Sequence, residues 1–514
     1  MKNNIYLCFH GHFYQPPREN PWTDEIESQP SASPFHDWNE RIFQECYKPN
    51  TNAVIVDEND HVLRRINNYD YLNFNFGPTL LHWIKKRHPK TLVKIINADK
   101  QSIDKHKGHG NAIAQVYNHI IMPLANKRDK ITQVRWGLKD FAFHFGRESE
   151  AIWLSETACN NETLEVLINE KIKYIILAPS QAHLVRKIGS TNWEDVSNTG
   201  INTNRPYRFF SNIDSNKFID IFFYDGSLSK NIAFDDYAVN PEKLINQIDS
   251  ITAKLADKDQ LICIATDGET FGHHKHFADR SIAYLFSELA PDKGYKIVNL
   301  GEYLSSHTPE YEVKIKEGKK GKGASWSCAH GVGRWERNCG CSDGGENGWN
   351  QKWRKPLRKS LNKLNKKLAK IFEENGNLYL KDVWKARNEY IDIILEPSEE
   401  CKARFFYFNA KHYLNEEEIS KCIRLLEMQR YSMLMFTSCG WFFSDISGIE
   451  TIKILEYASR AIEISKEFTS EAIEEEFIKG LSTAKSNKKE YKNGKEIYLK
   501  NVKKVLKVKK VLKV

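Results

Sequence analysis

The chain has 514 residues, 40% hydrophobic and 28% charged, with 61 aromatic side chains. These figures suit two to four folded domains and exclude a wholly disordered chain. They are joined by no uninterrupted apolar stretch of membrane-spanning length. The net charge of +9 is local: residues 485–514 hold twelve Lys and two Glu, leaving the other 484 residues near −1. A charge run of this kind is a solvated end rather than a nucleic-acid surface, so neither nucleic acid nor a membrane is expected as a partner.

The apolar run at residues 5–9 is too short for a secretory signal and reads as a first strand, placing the protein in the cytoplasm. Six more continuous, β-branched runs follow at 92–97, 151–154, 174–178, 219–224, 261–265 and 296–300. Continuous rather than alternating apolar runs mark strands buried on both faces of a parallel sheet. Helical patterns lie between several of them, one with Asn161 placed as its cap and another with Pro241 in its first turn. Seven strands alternating with helices predict an α/β barrel.

Each run is followed by polar residues: His10 and His12, then Asn97 and Asp99, Glu156, Ser180 with Gln181 and His183, Asp225, Asp267 with Glu269, and Glu302. Chemistry in parallel barrels gathers at the carboxyl ends of the strands. The Pro-, Asn- and Trp-rich segment 16–49 is expected to form an elaborated loop over that end, and residues 106–124 a second insertion.

Beyond about residue 310 the character changes. A Lys/Gly-rich link at 314–322 leads into the loop-like Ser325-Trp-Ser-Cys-Ala-His-Gly-Val-Gly-Arg-Trp335. Leu357, Leu361, Leu364, Leu368 and Ile371 then keep a helical rhythm ending at Gly376. Further helices are predicted at about 380–395, 416–436 and 449–468. The expected organisation is a barrel over 1–310, a link and active-site loop over 311–352, a helical domain over 353–480, and a disordered Lys-rich tail over 481–514.

The ten Cys are scattered and read as reduced thiols. Cys328, His330, Cys339 and Cys341 do cluster, but C-x-H-x8-C-x-C matches no common zinc spacing. No metal or other cofactor is expected.

Glu156 and Asp267 are the pair best placed for chemistry, each just beyond a buried strand. Glycoside hydrolysis needs two carboxyls flanking one bond, about 5–5.5 Å apart in retaining enzymes. The same two residues also fit solvated loop acids.

Several motifs resemble those of glycoside hydrolase family 57. His10-Gly-His-Phe-Tyr-Gln-Pro16 resembles the family's first region, with Phe13-Tyr14 inserted, and Gly108-His-Gly-Asn111 stands in place of the second. Ile152-Trp-Leu-Ser-Glu156 resembles the third, with Ser155 where the family usually has Pro. Thr266-Asp-Gly-Glu-Thr-Phe-Gly272 resembles the fourth, and Thr437-Ser-Cys-Gly-Trp-Phe-Phe-Ser-Asp445 is the best match to the fifth. The group it is most similar to has a DUF3536-like helical domain after the barrel, and its chains are expected to run on beyond where this one ends.

The resemblance implies an incomplete (β/α)7 barrel followed by an all-α domain, and a retaining hydrolase or transglycosylase acting on α-glucan. It makes Glu156 the nucleophile and Asp267 the general acid/base. It places His10, His12, His109, Glu269, Trp441 and Asp445 around an oligosaccharide or polysaccharide substrate, with the helical domain covering the strand ends. Trp153, Trp326 and Trp335 are further candidates for stacking on sugar rings. Two other readings compete. One is a metal-dependent deacetylase or mannosidase using His10 and His12 with Asp99, Asp225 or Asp267. The other is a carbohydrate-binding scaffold without activity.

Overall fold

The first strand sets the frame. In the computed structural model, which describes residues 4–253 and 259–503, β1 (Ile5–Phe13) is buried from Leu7 to Phe13. That accounts for its unbroken apolar run, since a strand covered on both faces has no polar side. Further strands follow: β2 (Asn73–Phe76), β3 (Ala114–Gln115), β4 (Ile152–Trp153), β5 (Tyr174–Leu177), β6 (Phe218–Phe223) and β7 (Gln260–Asp267).

β1 pairs in parallel with β7 from Ile5↔Gln260 to His12↔Asp267, and with β2 from His10↔Asn73 to Phe13↔Phe76. A parallel bridge, Phe74↔Ala112, leads toward β3, which pairs in parallel with β4. The bridge Ala151↔Tyr174 leads to β5, which is parallel to β6. Just past β6, Asp225 donates its backbone N–H to the carbonyl of Cys263 in β7 at 2.7 Å. The short strand Lys296–Ile297 joins the amino half of β1 at Tyr6 and Leu7. Outside this series, Tyr207–Phe210, Ala182–Lys187 and Tyr311–Ile315 extend the sheet from β6.

One predicted strand is wrong. Residues 92–97 lie within the helix Pro89–Lys105, whose buried residues Leu92, Ile95, Ala98, Asp99 and Ser102 follow a helical period. Pro89 at its first position favours that start. Within the series β1–β7 the strands unseen in the sequence are β2, whose Asn-Phe-Asn-Phe pattern buries amides, and the two-residue β3; Ala182–Lys187, Tyr207–Phe210 and Tyr311–Ile315 were not expected either. The helix after β4 is capped by Asn160, accepting from Thr163 N at 3.1 Å, rather than by Asn161.

The chain divides into two units, and the boundary does not follow the expected order. The first comprises residues 1–15, 28–116 and 141–317; the second gathers 16–27, 117–140 and 318–514. The expected insertion at 106–124 is therefore divided at residue 116, and its later part, with residues 125–140, groups with the helices. In the second unit Arg354–Gly376, Glu416–Leu434, Ile449–Ser465 and Ile473–Leu481 are the principal helices. Leu357, Leu361, Leu364, Leu368 and Ile371 are all buried, as their spacing predicts. The expected 380–395 helix is two, Val383–Glu389 and Ile391–Leu395, and Glu399–Asn409 is a further helix.

The tail is folded as far as it is described. Asn487 and Ser486 bond to Asp445, Gly494–Ile497 is a helical turn, and Ile497, Tyr498 and Val502 are buried. The lysine count concealed these apolar anchors. Residues 504–514, most of the Lys/Val repeat, lie outside the described residues. Among the described residues no helix is long and apolar enough to cross a membrane.

Candidate active site

The β1–β7 register places His12 opposite Asp267, and the β1–β2 register places His10 and His12 beside Asn73 and Asn75. These side chains form one buried polar layer. His10 Nδ1 lies 3.2 Å from Asn73 Oδ1, and its Nε2 lies 3.0 Å from Asn75 Oδ1. The Asn75 amide nitrogen meets His12 Nδ1 at 3.0 Å and donates to Gln115 Oε1 at 2.8 Å. Trp153 stacks on both imidazoles, at 4.7 Å from His10 and 5.0 Å from His12. Burial lowers the His10 pKa to about 4, with the two amide oxygens on its nitrogens opposing.

Glu156 follows β4 on a sharp turn. Its φ is 58° and that of Thr157 is 49°, two successive non-glycine residues in the left-handed region, where a side chain is unfavourable. The turn is held by Gln181, which donates to the Thr157 carbonyl at 2.8 Å and accepts from the Thr157 hydroxyl at 2.8 Å. Gln181 also accepts from the Ala178 N–H at 2.9 Å. A strained turn fastened by a buried amide fixes where the Glu156 carboxyl can point.

Asp267 ends β7. It is reached by solvent yet surrounded by protein, and lost hydration followed by the Glu156 charge raises its pKa to about 7. Glu269, two residues on, is buried and accepts at the same oxygen from Tyr14 N at 2.9 Å and the Tyr47 hydroxyl at 2.6 Å. Burial pushes its pKa up to about 8, with the Tyr47 bond opposing and the Asp267 charge adding. The inserted pair thus has a place. Tyr14 supplies that N–H and stacks on His12, while Phe13 packs among Tyr47, Tyr69 and Phe76. Gly268 makes room for Phe13, since a Cβ there would lie 2.2 Å from its ring.

The other residues singled out from the sequence have partners of their own. His109 bonds to Glu150 at 2.8 Å, and Glu150 precedes β4 whereas Glu156 follows it, so His109 belongs to the amino end of that strand. Asp99 is taken by Arg147, with bonds of 2.9 and 2.8 Å, and by the Ala112 N–H. Asp225 caps the helix Gly226–Phe234. In the second unit, Trp441 has no exposed surface; it stacks with Phe436 and lies under the Arg358 guanidinium. Asp445 accepts from Ser486 Oγ and Asn487 N. Trp335 is also wholly buried.

Asn73, Asn75 and Tyr47 escaped sequence reasoning. They carry no charge and sit in segments without a strand or motif signal.

The family model described as glycosyl hydrolase family 57 matches residues 6–316, and one described as a domain of unknown function, DUF3536, matches residues 349–513. Alpha-amylase 1 of Dictyoglomus thermophilum is 21% identical over 233 residues, which is 45% of this chain and 29% of that protein. The chain thus matches less than a third of that relative's length. Among solved structures, an exo-type maltose-forming amylase from Pyrococcus sp. ST04 superposes with a TM-score of 0.65 at 14% identity, covering 92% of this chain and 82% of that one. A branching enzyme from Pyrococcus horikoshii gives 0.53 at 15% identity, covering 93% and 92%. These two share the fold. With residues 6–316 matched, more than half of the chain and every residue of the histidine–carboxylate layer, the chain belongs to glycosyl hydrolase family 57.

Proposed function

We propose that the protein is a retaining α-glucan hydrolase or transglycosylase, with Glu156 as nucleophile and Asp267 as general acid/base. The observation that carries this reading is the unequal pair of carboxyls. Asp267 is held protonated toward neutral pH beside the charge of Glu156, which is the division of labour that acid and nucleophile require. In the first step a Glu156 oxygen bonds to the anomeric carbon, the glycosidic C–O bond breaks, and the Asp267 proton passes to the leaving oxygen. In the second, the Asp267 carboxylate takes a proton from water or a sugar hydroxyl, whose oxygen displaces Glu156.

We read the seven parallel strands as an incomplete (β/α)7 barrel, with these groups at its carboxyl end. His12 is the candidate contact for sugar hydroxyls, and His10, with its asparagine partners, holds the layer in place. Ten free cysteines suit a reducing, cytoplasmic setting.

The metal-dependent alternative finds little support. Two of its three carboxylates, Asp99 and Asp225, are engaged by Arg147 and a helix end, and His10 faces amides on both nitrogens.

The test uses an activated fluorinated α-glucosyl donor that accumulates the glycosyl-enzyme. The added mass should fall on the peptide containing Glu156. Glu156→Gln should lower turnover of maltooligosaccharides by about 10³-fold or more. Inverted products, or labelling elsewhere, would remove the assignment.

A further inference from the structure

The irregular stretch between the two units' regular elements holds a second concentration of reactive groups. Cys328, His330, Cys339 and Cys341 each direct one ligand atom to a common point, and these four atoms all lie within 4.8 Å of one another. Among the described residues this grouping lies wholly in the second unit, and the glycosidic chemistry makes no use of it. We propose that these four residues bind a structural zinc ion.

The distances carry the argument. With Zn–S near 2.3 Å and Zn–N near 2.0–2.1 Å, a tetrahedral site has S···S edges of about 3.8 Å and N···S edges of about 3.6 Å. Cys328 Sγ lies 3.9 Å from Cys339 Sγ, and His330 Nδ1 lies 3.4 Å from Cys341 Sγ. A disulfide needs about 2.05 Å; these two separations match the edges of a shared tetrahedral ion instead, and the remaining ones stay within 4.8 Å. Four protein ligands leave no open position, which marks a structural rather than a catalytic site. The soft donor set of three thiols and one imidazole selects zinc over magnesium or calcium.

The backbone is shaped to the same end. Each ligand pair is a C-x-H or C-x-C step, and glycines in the left-handed region follow or separate the ligands: Gly331 at φ 78° and Gly340 at φ 87°. Gly333 lets the two strands of the loop close, since a Cβ there would lie 3.1 Å from the Cys339 Cβ.

Arginines hold the ligand-bearing carbonyls. Arg337 Nη2 donates to the His330 carbonyl at 2.9 Å, and Arg354 Nη1 to that of Cys341 at 2.6 Å. Three thiolates and Zn²⁺ carry a net charge of −1, and the fully buried Arg354 offers the compensating positive charge.

The full-length protein, purified without chelators, should contain about one zinc per chain by elemental analysis. After exchange with Co²⁺ it should show thiolate-to-cobalt charge-transfer absorption. Cys339→Ser and Cys341→Ser should each reduce zinc at least about tenfold, while Cys401→Ser, a buried cysteine outside the group, should retain it. Should a variant fail to fold, wild type gives the same answer, because blocking its thiols with a mercurial should release the zinc. A reduced wild-type protein that holds no zinc and takes up no Co²⁺ overturns the proposal. So does iron in place of zinc, or a Cys328–Cys339 disulfide in the native protein.

Discussion

The strand-end layer and the cysteine-rich loop each converge several reactive side chains on a small volume, by opposite means. At the strand ends, hydrogen-bond register does the placing. Once Ile5 pairs with Gln260, His12 must stand beside Asp267 seven residues later. In the loop there is no register, and placement falls to side chains: Arg337, Arg354 and Arg358 donate to the carbonyls of His330, Cys341 and Trp335. A sheet distributes its constraint over many backbone bonds, so one side chain matters little. A loop concentrates it in a few buried guanidinium groups, and one substitution removes a large share.

The sharpest way to break that contrast is Arg354→Met. Arg354 is fully buried and also donates to the Phe442 and Phe443 carbonyls, at 3.0 and 3.3 Å. Its loss removes three bonds at once; the Phe442 carbonyl keeps Arg334 at 3.3 Å, but those of Cys341 and Phe443 lose this donor, and unsatisfied buried groups cost about 1–3 kcal/mol each before relaxation. Denaturant unfolding should show the second unit destabilised by about 3 kcal/mol or more. A change below about 1 kcal/mol would show that the loop is held by something other than its arginines.

Gly268→Ala asks the same of the strand end. The new Cβ collides with the Phe13 ring, which is enclosed by Tyr47, Tyr69 and Phe76 and has no room to withdraw. Overpacking of this kind costs about 1–3 kcal/mol. The loss should appear as a lower melting temperature, and as reduced turnover, since Asp267 and Glu269 flank the shifted residue. An unchanged melting temperature would mean that Phe13 is free to move, and that register alone does not fix the layer.

The same contrast explains what could be read from the sequence. Charged and motif-bearing residues at strand ends, such as Glu156, Asp267 and Glu269, stand out because a buried strand announces its own end. Asn73 and Asn75 do not, because a strand of alternating Asn and Phe breaks the apolar run that marks the others. Residues 92–97 misled for the complementary reason: Val93, Ile95 and Ile96 are β-branched, yet Pro89 and the Leu92–Ile95–Ala98–Asp99 spacing select a helix. In the second unit, Trp441 and Asp445 lie in the stretch that resembles a fifth motif, but burial under Arg358 and bonding to Ser486 and Asn487 are tertiary facts no local pattern holds. The C-x-H-x8-C-x-C spacing matches no common zinc pattern, and its meaning depends on how the chain turns at Gly331 and Gly340.

Glu269→Gln gives the smallest effect and the cleanest reading of the strand-end electrostatics. In the folded protein this carboxyl is pushed up to about 8, whereas in an unfolded chain it titrates near 4.3. The folded state therefore holds the proton more tightly. That contribution is fully present below about pH 4 and is lost as the pH rises through about 8. Gln keeps the oxygen that accepts from Tyr14 and Tyr47, but it has no proton to lose. The difference in unfolding free energy between variant and wild type should therefore grow in the variant's favour from pH 5 to pH 9, by an amount on the order of 1–3 kcal/mol. Parallel stability curves would show that Glu269 is already ionised at pH 5. The two tyrosine donors would then outweigh its burial, and the raised proton affinity would belong to Asp267 alone.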